Sequence, residues 1–255
     1  MEPVMKTFFY IISLIIITTT ANAGRITVAG DVNISDNSDN DRFFHNVIGD
    51  ASNVMFRFES VQWSSNPMEL VVDKFESVGS ISTTNYIGDL CPTILANVDL
   101  LVLSSHINWG GHIEYNENDL GYLREFLDLG GDIFLYGELI RNSTTLLNYN
   151  DLLTGIGSSI QFKDERILGQ SLALASNHFN GVPPVTPLSV DQPELRVWAY
   201  NNLTGGQAVY TTIDDIVVVA TEVVSVNAPS IYTLTFITML GLIWRKFIFC
   251  RLTLT

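Results

Sequence analysis

Asp31, His106 and Glu138 each follow a stretch that reads as a strand, and in an open parallel sheet the carboxyl ends of the strands border one crevice. A carboxylate, an imidazole and a second carboxylate gathered there could hold a metal or move protons, which is the chemistry of a surface hydrolase. The competing reading is that polar residues cap strand ends and satisfy loop amides. It weighs more, because strand ends are polar in most sheets. Ser104 and Ser105 follow a strand too, but no Gly-x-Ser-x-Gly elbow surrounds them. Gly110-Gly111-His112 lacks the Lys-Ser/Thr and the wider glycine spacing of a phosphate loop. Residues 31–41 are rich in Asp and Asn and invite a calcium reading. An EF-hand loop begun at Asp31 would need Gly at 36 and Glu at 42, where the chain has Asp36 and Arg42. A solvated loop is the better expectation there. No metal and no cofactor are expected, and no catalytic set outweighs the structural reading.

The elements that would position these groups follow from hydrophobic periodicity. Residues 98–103 are almost continuously apolar, as in a strand buried on both faces of a parallel sheet. Asn116-Glu117-Asn118-Asp119 opens a helix with a cap and an acidic first turn, Leu120, Leu123 and Leu127 follow at helical spacing, and Gly130-Gly131 ends it. Ile133 to Tyr136 reads as the next buried strand, so this order implies a right-handed βαβ unit. Arg25–Ala29 and residues 54–58 read as further strands, and Asp39 or Asn40 caps a helix whose face is Phe43, Phe44, Val47 and Ile48. Residues 62–84 are ambiguous and read as a hairpin or short strands at 70–72 and 75–78. A second helix is expected at 145–153, a proline-rich turn at 182–187, and strands at 159–162, 207–212 and 216–220.

Both ends of the chain are apolar. Lys6, an apolar stretch from Phe8 to Ile17, and Ala21-Asn22-Ala23 form a secretory signal with cleavage after Ala23. At the other end, residues 231–244 are apolar and Arg245-Lys246 follows as a membrane stop. Fourteen helical residues span about 21 Å, short of a hydrocarbon core of about 30 Å, so the basic pair is placed at the interface. The positive-inside rule then puts the body outside and the basic end in the cytoplasm. The expected domains are a signal peptide (1–23), a single α/β body (24–226) and a C-terminal sorting and transmembrane segment (227–255).

Composition constrains the body further. Of the 13 basic residues four lie outside it, and of the 27 acidic residues only Glu2 does, which leaves nine against 26 and a net charge of −17. Such a surface repels nucleic acid and anionic lipid. Cys91 is the one cysteine of the body, so no disulfide staples the exported fold. Its place before Pro92 and a buried strand suits a small half-buried apolar residue better than a nucleophile. The Asn-x-Ser/Thr triplets at Asn33, Asn142 and Asn202 are treated as chance.

The C-terminal order of short motif, apolar helix and basic cluster resembles the PEP-CTERM sorting signal of Gram-negative bacteria. Asn227-Ala228-Pro229-Ser230 stands where Pro-Glu-Pro-Ser is usual and keeps only its Pro-Ser, and residues 247–255 extend beyond the usual stop. The resemblance implies the Sec translocon, signal peptidase and an exosortase-type protease as partners. It also implies anchoring in the membrane before processing, a place at the cell envelope or surface, and a polysaccharide or matrix partner.

In the body, Val98-Asp99-Leu100-Leu101-Val102-Leu103, the helix through Leu123 and Leu127, and Gly130-Gly131-Asp132-Ile133-Phe134-Leu135-Tyr136-Gly137-Glu138 resemble the class I glutamine amidotransferase-like superfamily. That resemblance implies a flavodoxin-like, three-layer α/β/α fold with a mainly parallel central sheet. Its enzymes carry a cysteine at the strand-to-helix turn, where this chain has Gly137-Glu138-Leu139 and no thiol. The expectation is therefore a catalytically silent binding or structural domain at the cell surface, with the Asp31/His106/Glu138 hydrolase as the alternative.

Overall fold

Strands β1 (Arg25–Ala29), β2 (Asn53–Arg57), β3 (Ser82–Tyr86), β4 (Leu100–Ser104) and β5 (Asp132–Tyr136) lie parallel in the order β3-β2-β4-β5-β1. This computed structural model describes residues 23–57, 67–86, 88–104, 115–137, 143–175 and 194–224. The central strands are short and apolar along their whole length. Leu100, Leu101, Val102 and Leu103 are all buried, which is what helices on both sheet faces demand. Residues 23–224 form one compact unit.

The second half of the sheet is antiparallel. Strands β6 (Gln161–Ala175), β7 (Glu194–Thr204), β8 (Gln207–Thr212) and β9 (Val217–Val223) extend it in the order β1-β9-β8-β6-β7. Among the described residues the sheet has nine strands, and four of its eight pairings are antiparallel. The mainly parallel, flavodoxin-like three-layer α/β/α fold is therefore corrected to a strand-rich mixed sheet. The physical reason lies in the last third of the chain, where β6, β7, β8 and β9 join through antiparallel pairings of β6 with β7, β6 with β8 and β8 with β9. Gly205 and Gly206 link β7 to β8 with φ of 77° and 60°. A Cβ at Gly205 would overlap the Ser159 carbonyl oxygen.

The expected transmembrane helix does not stand either. Among the described residues no helix is long and apolar enough to cross a membrane, and residues 231–244, on which the expectation rested, lie outside them. The secretory signal, with Ala21, and the sorting motif Asn227-Ala228-Pro229-Ser230 with Arg245 and Lys246 also lie outside the described residues. Ala23 is the first residue of the described unit.

Helices α1 (Asp41–Ile48) and α2 (Pro67–Val78) cover one face of the sheet. Phe43, Phe44, Val47 and Ile48 of α1 and Val71 and Phe75 of α2 join Val54, Phe56, Leu100, Val102 and Phe134 in one core. Phe134 lies at its centre, with ring centroids 6.0 Å from Phe43, 6.3 Å from Phe44 and 6.0 Å from Phe75. Residues 67–78 were ambiguous and leaned toward strands. The helix forms because Val71, Phe75 and Val78 share one stripe at i, i+4 and i+7, a pattern that two short apolar clusters hide.

A short helix α3 (Pro92–Leu95) begins after Cys91, and α4 (Glu117–Asp128) and α5 (Ser143–Gly155) follow. The expected cap of α4 is present in full. Asn116 accepts from the Asn118 and Asp119 amides, and Asp119 accepts back from the Asn116 amide. This reciprocal arrangement satisfies the first amides of the helix.

Candidate functional site

A cavity lies where the segment after β1 crosses the edge strand β7. Two 3-10 turns, Val32–Asp36 and Ser38–Asn40, carry the chain from β1 to α1. The outer backbone groups of an edge strand are a liability unless something pairs them. Here two side chains do so. Asp31 Oδ2 accepts from the Trp198 amide at 2.8 Å, and Asn40 Oδ1 accepts from the Arg196 amide at 2.9 Å. Asn40 Nδ2 donates to the Arg196 carbonyl at 2.8 Å and to Ile34 O at 2.9 Å. The Asn201 amide adds a bond to Gly30 O at 2.8 Å.

Clamped in this way, β7 alternates strictly. Leu195, Val197 and Ala199 are buried, while Glu194, Arg196 and Trp198 point outward. Trp198 is 55% exposed. It borders a groove of about 660 Å³, together with Asn33, Asp36, Asn37, Gln170 and Arg196. That volume falls within the usual range for small-ligand sites, about 300–1,000 Å³.

The electrostatics of the groove are close to balanced on the cationic side and acidic overall. Arg196 Nε lies 2.6 Å from Asp39 Oδ2, so its charge already has a partner. Lys74 pairs with Asp41 and donates to the Asn37 carbonyl at 3.2 Å, tying α2 to the groove wall. Desolvation by the walls raises the Asp36 carboxyl above its ordinary value, against the opposing pull of Lys74 and a hydrogen bond from Ser35. One planar indole, side-chain amides and a carboxylate beside an already neutralised guanidinium make a surface suited to hydroxyl groups and C–H faces.

The sequence-derived site fares differently. Asp31 is fully buried and caps the first 3-10 turn, its Oδ1 accepting from the Asn33 amide at 2.7 Å and Asn33 Nδ2 at 3.2 Å. Both carboxylate oxygens are therefore engaged by N–H donors. His106 and Glu138 lie outside the described residues, as do Ser105 and His112. Among the described residues no group of three or more His, Cys, Asp or Glu side chains could hold a metal ion. Cys91 is half-buried and precedes α3 at the amino-terminal side of β4.

Trp198 and Arg196 were missed at the level of sequence, and Asn40, expected as a candidate helix cap, makes no side-chain cap bond and pairs with the Arg196 backbone instead. A signal for β7 exists: the alternation from Glu194 to Ala199 puts one tryptophan among the polar, outward positions. The clamp by Asp31 and Asn40 has no comparable signal, because it joins residues more than 150 positions apart.

No family model and no curated protein matches the chain. One solved structure, described as MppP soaked with the product 2-ketoarginine, is similar at a TM-score of 0.30 and 11% identity. The similarity covers 44% of this chain and 30% of that one, so the chain spans under a third of that protein's length. At that level it carries no argument about fold or activity.

Proposed function

We propose that the chain is an exported surface protein of a Gram-negative bacterium whose body binds a neutral glycan and catalyses no reaction. The polysaccharide matrix outside the cell is its setting. The observation that carries the reading is Trp198, more than half exposed on the rim of a polar groove of about 660 Å³. The C–H faces of a sugar ring carry partial positive charge and stack on an indole face, while amides and carboxylates take the hydroxyls in both senses. A neutral ligand fits better than an anionic one, since Arg196 is already paired with Asp39 and the body is acidic. The end segments support export. The signal would be read by the Sec translocon and signal peptidase, and the segment from Asn227 by an exosortase-type protease.

Binding is tested by retention on immobilised neutral polysaccharides (dextran, xylan and mannan) and by quenching of tryptophan fluorescence. Trp198→Ala is expected to weaken retention at least tenfold, with thermal stability almost unchanged because the side chain is exposed. A protein that binds none of these glycans, or binds them equally well as Trp198→Ala, would sink the reading. Export is tested separately. Mass spectrometry of the protein recovered from cells is expected to find Gly24 as the first residue, and an intact Met1 in cytosolic material would refute the proposed route.

A further inference from the structure

The parallel half of the sheet carries a buried arginine, which does not line the Trp198 groove. Strand β2 sits between β3 and β4, so the chain leaves β2 toward one side and returns on the other. The carboxyl ends of β2 and β4 therefore flank a topological switch point, the place where open α/β sheets hold their ligands. Arg57 is the last residue of β2. Its side chain is only 5% exposed, after the continuously buried apolar run Val54, Met55 and Phe56, which gives no reason for a cation.

The guanidinium is fixed on one edge and lacks a hydrogen-bond acceptor on the other. Nε donates to the Gly88 carbonyl at 3.2 Å, and Nη2 stands 3.9 Å from Asp119 Oδ2, beyond hydrogen-bond reach. The Asp119 carboxylate is itself committed, with Oδ1 accepting from the Leu90 amide at 2.9 Å and Oδ2 from the Asn116 amide at 3.3 Å. The guanidinium carbon lies 4.6 Å from the centroid of the Tyr115 ring, which stabilises the charge from one face but gives no acceptor in the guanidinium plane. Nη1 is buried and has no hydrogen-bond partner among the described residues. A buried guanidinium N–H left unsatisfied is costly, and natural structures keep few of them.

We infer that Arg57 presents its end-on Nη1/Nη2 edge to a small monoanionic carboxylate bound at this switch point. A carboxylate matches the planar fork with two parallel N–H···O bonds. A monoanion is favoured over phosphate because Asp119 already supplies one negative charge beside the arginine and the body repels further charge. The tyrosine face and the Gly88 carbonyl hold the fork in place.

The test uses acetate as the probe against equal concentrations of chloride and of phosphate at constant ionic strength. Acetate is expected to raise the melting temperature of the protein and to show saturation-transfer NMR signals, whereas chloride does neither. Arg57→Lys, which keeps the charge and loses the fork, is expected to bind acetate at least tenfold more weakly, and Arg57→Met to lose it altogether. Trp198→Ala should bind acetate as the wild type does, which separates this site from the glycan groove. Should Arg57→Met fail to fold, the wild-type NMR signals and the lysine variant still decide the matter. No acetate effect on the wild type, an equal effect on the lysine variant, or phosphate binding as well as acetate would overturn the inference and leave Arg57 and Asp119 as a purely structural pair.

Discussion

Phe134→Ala is expected to destabilise the protein by about 3–5 kcal/mol. Phe134 is fully buried on β5, and its ring lies within 6.3 Å of three other phenylalanine rings, from α1 and α2. Truncation would remove the transfer free energy of the ring and leave a cavity that rigid neighbours on two helices and a sheet cannot close. Edge-to-face contacts with Phe43 and Phe44 would be lost as well. Urea unfolding of the variant and the wild type measures the difference directly. Leu168→Ala, at a position 70% exposed, is the matched control and should change stability by no more than about 0.5 kcal/mol. A loss at Phe134 as small as the control would mean that the helices do not pack on the sheet as described.

Asp31→Ala should cost about 2–4 kcal/mol, because it removes a turn cap and leaves the amides of Asn33 and Trp198 without their acceptor. The effect reaches the groove, since the Trp198 amide is one of the points that hold β7 in place. Glycan retention should therefore fall together with stability, and amide hydrogen exchange at Trp198 should quicken. Asp31→Asn is expected to recover only part of the loss, because its amide group faces N–H donors where a carboxylate oxygen stood. The measurement also separates two views of this residue. A carboxylate reserved for metal or acid–base chemistry would be lost with little change in stability or even a gain, since buried functional carboxylates are costly to the fold. Unchanged urea midpoints in Asp31→Ala would therefore count against the clamp and for the chemical role.

Several elements were legible from local pattern alone. Strand β1 matches its expected bounds at Arg25–Ala29, and the capping box at Asn116 was read from residues that touch one another within a single turn. Helix α1 was read from four apolar residues on one face, and all four are buried. Such signals survive in a sequence because the interacting groups lie within a few residues. The misreadings share the opposite property. Residues 67–78 carry two apolar clusters that fit short strands as well as a helix, and only packing against Phe44 and Phe56 selects the helical stripe. Strands at 207–212 and 216–220 were also expected, but not the length of β6, most of whose side chains lie at least partly open to solvent, nor the antiparallel pairings that make the sheet mixed.

The sequence by itself determined the charge of the body, the lack of a disulfide in it, its buried parallel strands and the cap of α4, since each depends on composition or on neighbours in the chain. Tertiary structure alone decided that β9 inserts antiparallel beside β1, that Asp31 clamps an edge strand, that Trp198 stays exposed on that strand and that Arg57 is buried at the end of β2. Those outcomes rest on contacts between residues far apart in the chain, such as Asp31 with Trp198 and Arg57 with Asp119. Local propensity carries no information about such pairs, because loop closure and packing over the whole sheet, and not the residues' own preferences, choose which distant groups meet.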